Sequence, residues 1–318
     1  MDEKSGTNAI YLNIAIANPA NATTPLLCAM NTTYSTPILR QANQYKGSII
    51  RMSMPLSALP YFQCPNNTFF CTLTYNGVDY KQPITLISMS SAAPTAVFYI
   101  QQFVDSLNLA LAAANTLVAA ANPGVGALAV PPVMTWSSVT QLFTLNVPYG
   151  TWEATAANSP KIWMSYNLSQ LFANMGQVSV ALNSASGKDS YFYIADRGLT
   201  SGLIPTVDET PSCIGWWTTE SIVVSSGSVP SRPEARPSSI SGELTTQPIL
   251  TDMFISPSDR LSATNSLLYL PTSQYRYFDL MGESELRQID LQFWACDQFG
   301  VLTAIYMPPN EGATVKFM

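Results

Sequence analysis

Apolar and polar residues alternate at period two through much of this chain, in short runs cut by proline, glycine and asparagine. Half-buried strands show this pattern, because successive side chains point to opposite faces of a sheet. In Tyr11 to Ala17, Leu12, Ile14 and Ile16 fall on one side and Asn13, Ala15 and Ala17 on the other. Ser48 to Met54 reads as a second strand, ended by Pro55 and Pro60, which cannot donate to a ladder. Cys71 to Tyr75 and Val78 to Gln82 flank Asn76-Gly77, a pair tolerant of positive φ that predicts a two-residue hairpin turn. Further strands are predicted at Gln141 to Val147, Lys161 to Tyr166, Ser190 to Ile194, Leu267 to Leu270 and Tyr275 to Leu280. Gln288 to Ala295, Val301 to Tyr306 and Thr314 to Phe317 complete the set. There is no βαβ alternation and no fixed-period repeat, which disfavours doubly wound folds, propellers and solenoids. The pattern predicts an all-β chain of two packed antiparallel sheets with long crossings, for which the jelly-roll β-sandwich is the common solution.

One segment follows the helical period instead. Ile100, Phe103, Val104, Leu107, Leu111, Ala114 and Val118 form a stripe, with Gln102, Asp105, Ala112 and Asn115 off it. Pro94-Thr95 can start this helix and Asn122-Pro123-Gly124 ends it, and its apolar stripe predicts packing on a sheet. The longest apolar stretch, Leu107 to Ala121, is interrupted by Asn108 and Asn115 and reads as too short to span a bilayer, so no transmembrane segment is expected. Residues 225–249 hold Pro230, Pro233, Pro237 and Pro248, and composition leaves open whether they form an ordered crossing or a flexible loop.

Composition narrows function mainly by exclusion. The chain has 318 residues and no histidine, which removes His-based triads and His-ligated zinc. Fourteen basic against 20 acidic side chains, a net charge of −6, argue against a protein built to grip nucleic-acid phosphates. Asp208-Glu209 and Glu283 with Glu285 are the paired carboxylates, and both pairs read as solvated loop acids. Without a Walker A loop, GxSxG elbow or dinucleotide fingerprint, no catalytic, cofactor-binding or metal residue is assigned and no enzyme is expected. Gly124 to Gly126 follows a helix rather than a strand and makes a poor phosphate loop. Trp216-Trp217 could stack a sugar, or one ring could fill a core while the other sits at a subunit contact; the second reading is favoured, since aromatics are enriched at interface cores. Arg232 and Arg236, the nearest thing to a basic cluster, fit a charged contact with a neighbouring subunit.

Five cysteines (Cys28, Cys64, Cys71, Cys213, Cys296) are odd in number. Cys64 and Cys71 could meet across Pro65 to Thr68, but free thiols in a reducing cytoplasm are the expected state. The opening residues Met1 to Gly6 lack the basic flank and apolar stretch of a signal peptide. N-x-Ser/Thr triplets at Asn21, Asn31, Asn66 and Asn167 therefore read as chance in an Asn/Thr-rich chain.

Several segments resemble, in order, the penton (minor capsid) proteins of virophages and of Polinton-like or adinto-like viruses. The densest is the run from Ser221 through Val223-Val224-Ser225-Ser226-Gly227-Ser228-Val229-Pro230 to Glu234, followed by Pro248-Ile249-Leu250-Thr251-Asp252. Leu268-Tyr269-Leu270-Pro271 to Arg276, Phe278-Asp279-Leu280, Arg287 to Trp294, Asp297 to Gly300 and Val315-Lys316-Phe317 continue it. Upstream, Thr36 to Arg40, Tyr45, Ile50-Arg51 and Lys161 to Asn167 with Leu171-Phe172 are similar. The family pattern is departed from at Trp294-Ala295-Cys296 and in residues 177–215. The resemblance implies a jelly-roll subunit that forms a homopentamer at icosahedral vertices and contacts the surrounding major capsid protein. It implies a virion protein made in the host cytoplasm, with no cofactor and no specific nucleic acid, and with a host receptor or glycan left open. Residues 1–62 and 216–318 are expected to supply the jelly roll, with 63–215 inserted. Two alternatives stand beside it: a small double-jelly-roll major capsid protein, and a carbohydrate-binding β-sandwich using Trp216 or Trp217.

Overall fold

The computed structural model describes residues 9–64, 68–87, 95–123, 130–150, 152–154, 158–182, 184, 186–197, 201–237, 244–256, 266–271 and 276–318. They divide into two compact units, Met1–Pro60 with Thr218–Met318, and Tyr61–Trp217.

In the first unit the alternating runs become strands β1 (Leu12–Ala17), β2 (Ala29–Thr33), β3 (Lys46–Pro55) and β4 (Thr219–Ser225). They are followed by β5 (Ile249–Phe254), β6 (Ser266–Tyr269), β7 (Gln288–Asp297) and β8 (Gly312–Phe317). One sheet runs β1-β8-β3-β6 and the other β5-β4-β7, with β2 also on β7; every pairing is antiparallel. Early strands thus pair with late ones, the strand order of a jelly roll. Alternation decides which face is buried. Ile14 and Ile16 of β1, Ile289, Leu291 and Phe293 of β7, and Ala313, Val315 and Phe317 of β8 are all buried. Each large side chain among them contributes about 1.5–3 kcal/mol on leaving water. On β4, Ile222, Val223 and Val224 are consecutive and all buried, so both faces of this central strand are covered. Part of residues 225–249 is a hairpin, Glu234–Pro237 on Leu244–Gln247, whose Pro237 sits on a two-stranded edge. The predicted strand Val301 to Tyr306 is two short pieces, Leu302–Ala304 on β7 and Tyr306–Met307 on Leu26–Leu27. Of the predicted Tyr275 to Leu280, Tyr277–Asp279 forms a strand on β3, and Tyr275 lies outside the described residues.

The second unit is built round helix α1 (Ile100–Ala121). A five-stranded antiparallel sheet runs Gln177–Ser179, Ser190–Phe192, Lys161–Met164, Phe70–Tyr75, Val78–Pro83. A smaller sheet runs Leu203–Val207, Phe143–Pro148, Val133–Trp136. This order does not repeat the β1 to β8 wrap, so the described chain carries one jelly roll, against the double-jelly-roll alternative. The Asn76-Gly77 turn forms with φ of 49° and 76°, both in the left-handed region a tight hairpin needs. Every residue of the predicted stripe on α1 is buried. Two off-stripe residues differ from expectation: Gln102 and Asn115 are also buried. Gln102, in the first turn, accepts from the Phe98 N–H (3.1 Å) and donates to the Ile87 (2.9 Å) and Ala96 carbonyls, tying the segments before the helix to its first turn. The helix begins at Ile100, after Thr95; Pro94 and Gly124 to Gly126 lie outside the described residues. At 22 residues it is longer than the apolar run predicts, and by length and composition alone it could cross a membrane. Its stripe is instead spent on the core cluster with Phe62, Leu73, Phe143 and Trp216. The strand predicted over Lys161 to Tyr166 stops at Met164, because Tyr166–Leu171 forms a short helix, α2, whose first N–H donates to Asp189 Oδ2 at 2.8 Å.

The residues that lead into and out of the second unit lie side by side. Thr219 Oγ1 donates to the Pro60 carbonyl at 3.3 Å, and next to them in sequence the Tyr61 and Trp217 rings sit 4.3 Å apart. Trp216, 1% exposed, stacks on Phe143 at 4.9 Å, meets Phe62, Phe103 and Phe172 edge-on, and donates its indole N–H to the Leu171 carbonyl at 2.7 Å. Replacing Trp216 by Ala is expected to cost about 3–5 kcal/mol. Trp217→Ala, which strips a half-buried ring, is expected to cost clearly less; guanidinium unfolding read by far-UV circular dichroism measures both.

Candidate assembly surface

A chain that assembles needs unpartnered strand edges and exposed apolar side chains in fixed positions. The strand order leaves β1 and β2 at one end of the two jelly-roll sheets and β6 and β5 at the other. Apolar side chains stand out at both ends. Phe254 on β5 is 70% exposed and Leu268 on β6 is 59% exposed, with Leu270 just beyond; at the opposite end Ile10 and Tyr11 lead into β1. Exposed apolar groups concentrated in this way mark contact surfaces.

Beside β1 the surface dips into a cleft of about 430 Å³, walled by Ile10, Tyr11, Tyr45, Tyr277, Phe317 and Met318. Next to its wall, close packing requires a glycine. Gly47 on β3 lies opposite Phe278, and a Cβ there would sit 2.5 Å from the Phe278 ring and 3.0 Å from that of Phe317. Reciprocal backbone bonds of 2.8 Å between Ser48 and Met318 pin the end of β8 against β3. Lys46 and Asp279 pair at 3.3 Å in the open, a contact of little energetic weight.

Asp290 on β7 organises the loop after β4. It accepts from Ser226 Oγ (2.7 Å), the Gly227 N–H (3.0 Å) and the Ser228 N–H (2.7 Å). Burial alone would raise its carboxyl; the donors from Ser228 and Ser226 and the two backbone N–H groups outweigh it and hold the carboxyl below its ordinary value. Nearby, Arg276 forks to Glu234 and Asp252, tying the hairpin to β5.

The residues singled out in the sequence are dispersed rather than convergent. Trp216 is core and offers no face to a sugar; Trp217 spends its ring on Tyr61. Asp208 is buried, against the reading of a solvated acid. It accepts from the Phe143 N–H (3.0 Å) and Ser212 Oγ (2.9 Å), fastening the turn that delivers Trp216 to the core. Burial pushes its carboxyl up, only partly countered by these bonds. Glu209 and Glu283 are exposed, and Glu285 pairs with Arg287 at 2.6 Å. Arg232 is exposed, and Arg236 lies in the Glu234–Pro237 strand opposite Thr245. Cys64 and Cys71 are free and buried, with burial pushing their thiols up to about 11 and about 12; Asn66 lies outside the described residues. Among the described residues no group of three His, Cys, Asp or Glu is placed to hold a metal ion. The edges and the cleft were not signalled by any motif, since they depend on which strands pair.

The profile of the Sputnik minor capsid protein V18/19 family matches residues 72–318. The chain belongs to this family. Among its relatives is structural protein V19 of Sputnik virophage, 23% identical over 198 residues that cover 58% of this chain and 91% of that protein. Two solved structures share the fold. A chain of the cryo-EM structure of Sputnik virophage aligns with a TM-score of 0.66 at 21% identity, over 97% of this chain and 96% of that one. The mavirus penton protein aligns with a TM-score of 0.62 at 13% identity, over 97% of both chains. This minor capsid protein is thus a jelly-roll virion component, as the resemblance to virophage penton proteins implied.

Gly47→Ala is expected to cost about 1–3 kcal/mol, since the Phe278 and Phe317 rings must give way; the shift in urea midpoint measures it. Asp290→Asn is expected to cost about 2 kcal/mol at pH 7. The wild-type advantage is fully present above the ordinary carboxylate pKa and is lost as pH falls through the depressed folded value, so the two midpoints should converge in acid.

Proposed function

We propose that this chain forms a closed homopentamer that plugs the icosahedral vertices of a virion and contacts the surrounding major capsid protein. The observation that carries the reading is the asymmetry of the jelly-roll flanks. Phe254 and Leu268 protrude at one end, whereas Tyr11 and the cleft occupy the other. Two unlike patches on one subunit make a head-to-tail contact, which gives a ring when the rotation closes. The likeness of the whole chain to the mavirus penton protein supports five-fold closure. In this reading Met1–Pro60 and Thr218–Met318 are the body of the ring and Tyr61–Trp217 is an inserted domain. The role is mechanical: packing seals the vertex, and no bond is made or broken. Synthesis in the host cytoplasm accords with five buried, free cysteines.

Native mass spectrometry and negative-stain microscopy of the purified chain test this. Rings of five copies are expected, and Phe254→Asp should leave a monomer whose circular dichroism matches that of the wild type. A stable monomer of the wild-type chain at high micromolar concentration, or a trimer, overturns the reading.

A further inference from the structure

The chain has only six lysines, and three of them, Lys81, Lys161 and Lys188, meet on the outer face of the five-stranded sheet in the second unit. Register builds that face. One row crosses all five strands, Val178, Tyr191, Trp163, Thr72 and Lys81, each opposite the next. Trp163 and Tyr191 pack edge to face at 4.8 Å. Lys161, two residues before Trp163, places its ammonium 4.8 Å from the Tyr191 ring centre and 5.9 Å from that of Trp163. Lys188 sits 5.3 Å from the Trp163 ring and Lys81 4.0 Å from that of Phe70. The Lys81 ammonium also lies 3.2 Å from where a Cβ on Gly187 would stand, beside Lys188.

The aromatic faces hold these ammoniums in place and lower the entropy lost when an anion arrives. Among the described residues only Asp79 forms an ion pair with them: it pairs with Lys188 at 2.7 Å and accepts from Thr74 at 2.6 Å. Among the described residues Lys81 and Lys161 have no carboxylate partner within ion-pair reach. In a chain of net charge −6 with 11% charged residues, three lysines against one ion-paired carboxylate among the described residues form a local positive field.

We propose that this face binds the carboxylate or sulfate groups of an acidic polysaccharide. A nucleic-acid strand fits it less well. Bases stack on open aromatic faces, and here lysines lie over the rings. Holding a strand at physiological salt also takes several phosphate contacts, more than three lysines on an acidic chain supply. A sugar ring bearing carboxylate or sulfate groups has no flat π face to stack and needs only the ammoniums. The proposal is independent of ring formation, because the whole site lies within one chain.

Titrating the full-length chain with a heparin-derived octasaccharide, read by the Trp163 indole resonance and by calorimetry, tests it. Binding is expected to weaken as salt rises and to fall at least about tenfold in Lys161→Gln/Lys188→Gln. Lys46→Gln, on the other unit, should bind as the wild type does. The proposal is overturned by no binding at millimolar octasaccharide, by equal binding of an uncharged oligosaccharide of the same length, or by binding that survives the double substitution. Tighter binding of a single-stranded oligonucleotide on the same lysines also overturns it, assigning the face to nucleic acid.

Discussion

The pairing of β1 with β8, Leu12 opposite Phe317 through to Ala17 opposite Gly312, is the constraint from which the jelly-roll unit follows. Once the outermost strands meet, β2 lies against β7, β3 against β6 and β4 against β5 as nested pairs. β1 and β8 each bury one face, so the alternation of Ile14 and Ile16 and that of Ala313 and Val315 must agree in register. A slip of one residue would turn both sets outward. These contacts are remote in sequence, which ties the stability of the unit to joining distant segments rather than to any local motif.

A second theme is that buried and half-buried polar side chains stand in for missing backbone partners. Asn108 of α1 exchanges two hydrogen bonds with the backbone of Met134, at 2.7 and 2.8 Å, and so completes the edge strand Val133–Trp136 as another strand would. Gln102 ties the backbone at Ile87 and Phe98 to the helix start, Asp290 gathers the loop after β4, and Asp208 fixes the turn before Trp216. A chain with few charges therefore uses several of its buried polar groups as architecture, because an unmet backbone donor inside a protein costs more than the bond that satisfies it.

Local pattern made much of the β content legible. The Asn76-Gly77 hairpin, the stripe of α1 and the strands at Leu12, Lys46, Gln288 and Gly312 follow from spacing alone. Other elements were hidden for physical reasons. β4 carries apolar residues on both faces and shows no alternation at Ile222-Val223-Val224. Val133–Trp136 takes part of its pairing from a helix side chain, and α2 depends on Asp189, more than twenty residues downstream of Ser165. Asp208 looked like a surface acid because nothing nearby in sequence foretells Ser212 and Phe143 converging on it. The lysine face was equally invisible, as its members lie far apart along the chain and meet only through strand register.

The contact of Thr219 with Pro60 has an evolutionary consequence. Because the chain leaves and rejoins the first unit at a single point, the pairing of β1 through β8 does not depend on the length of what hangs between. Such a junction works as a socket: lineages can vary the length of the piece it carries without disturbing the register of β1 on β8.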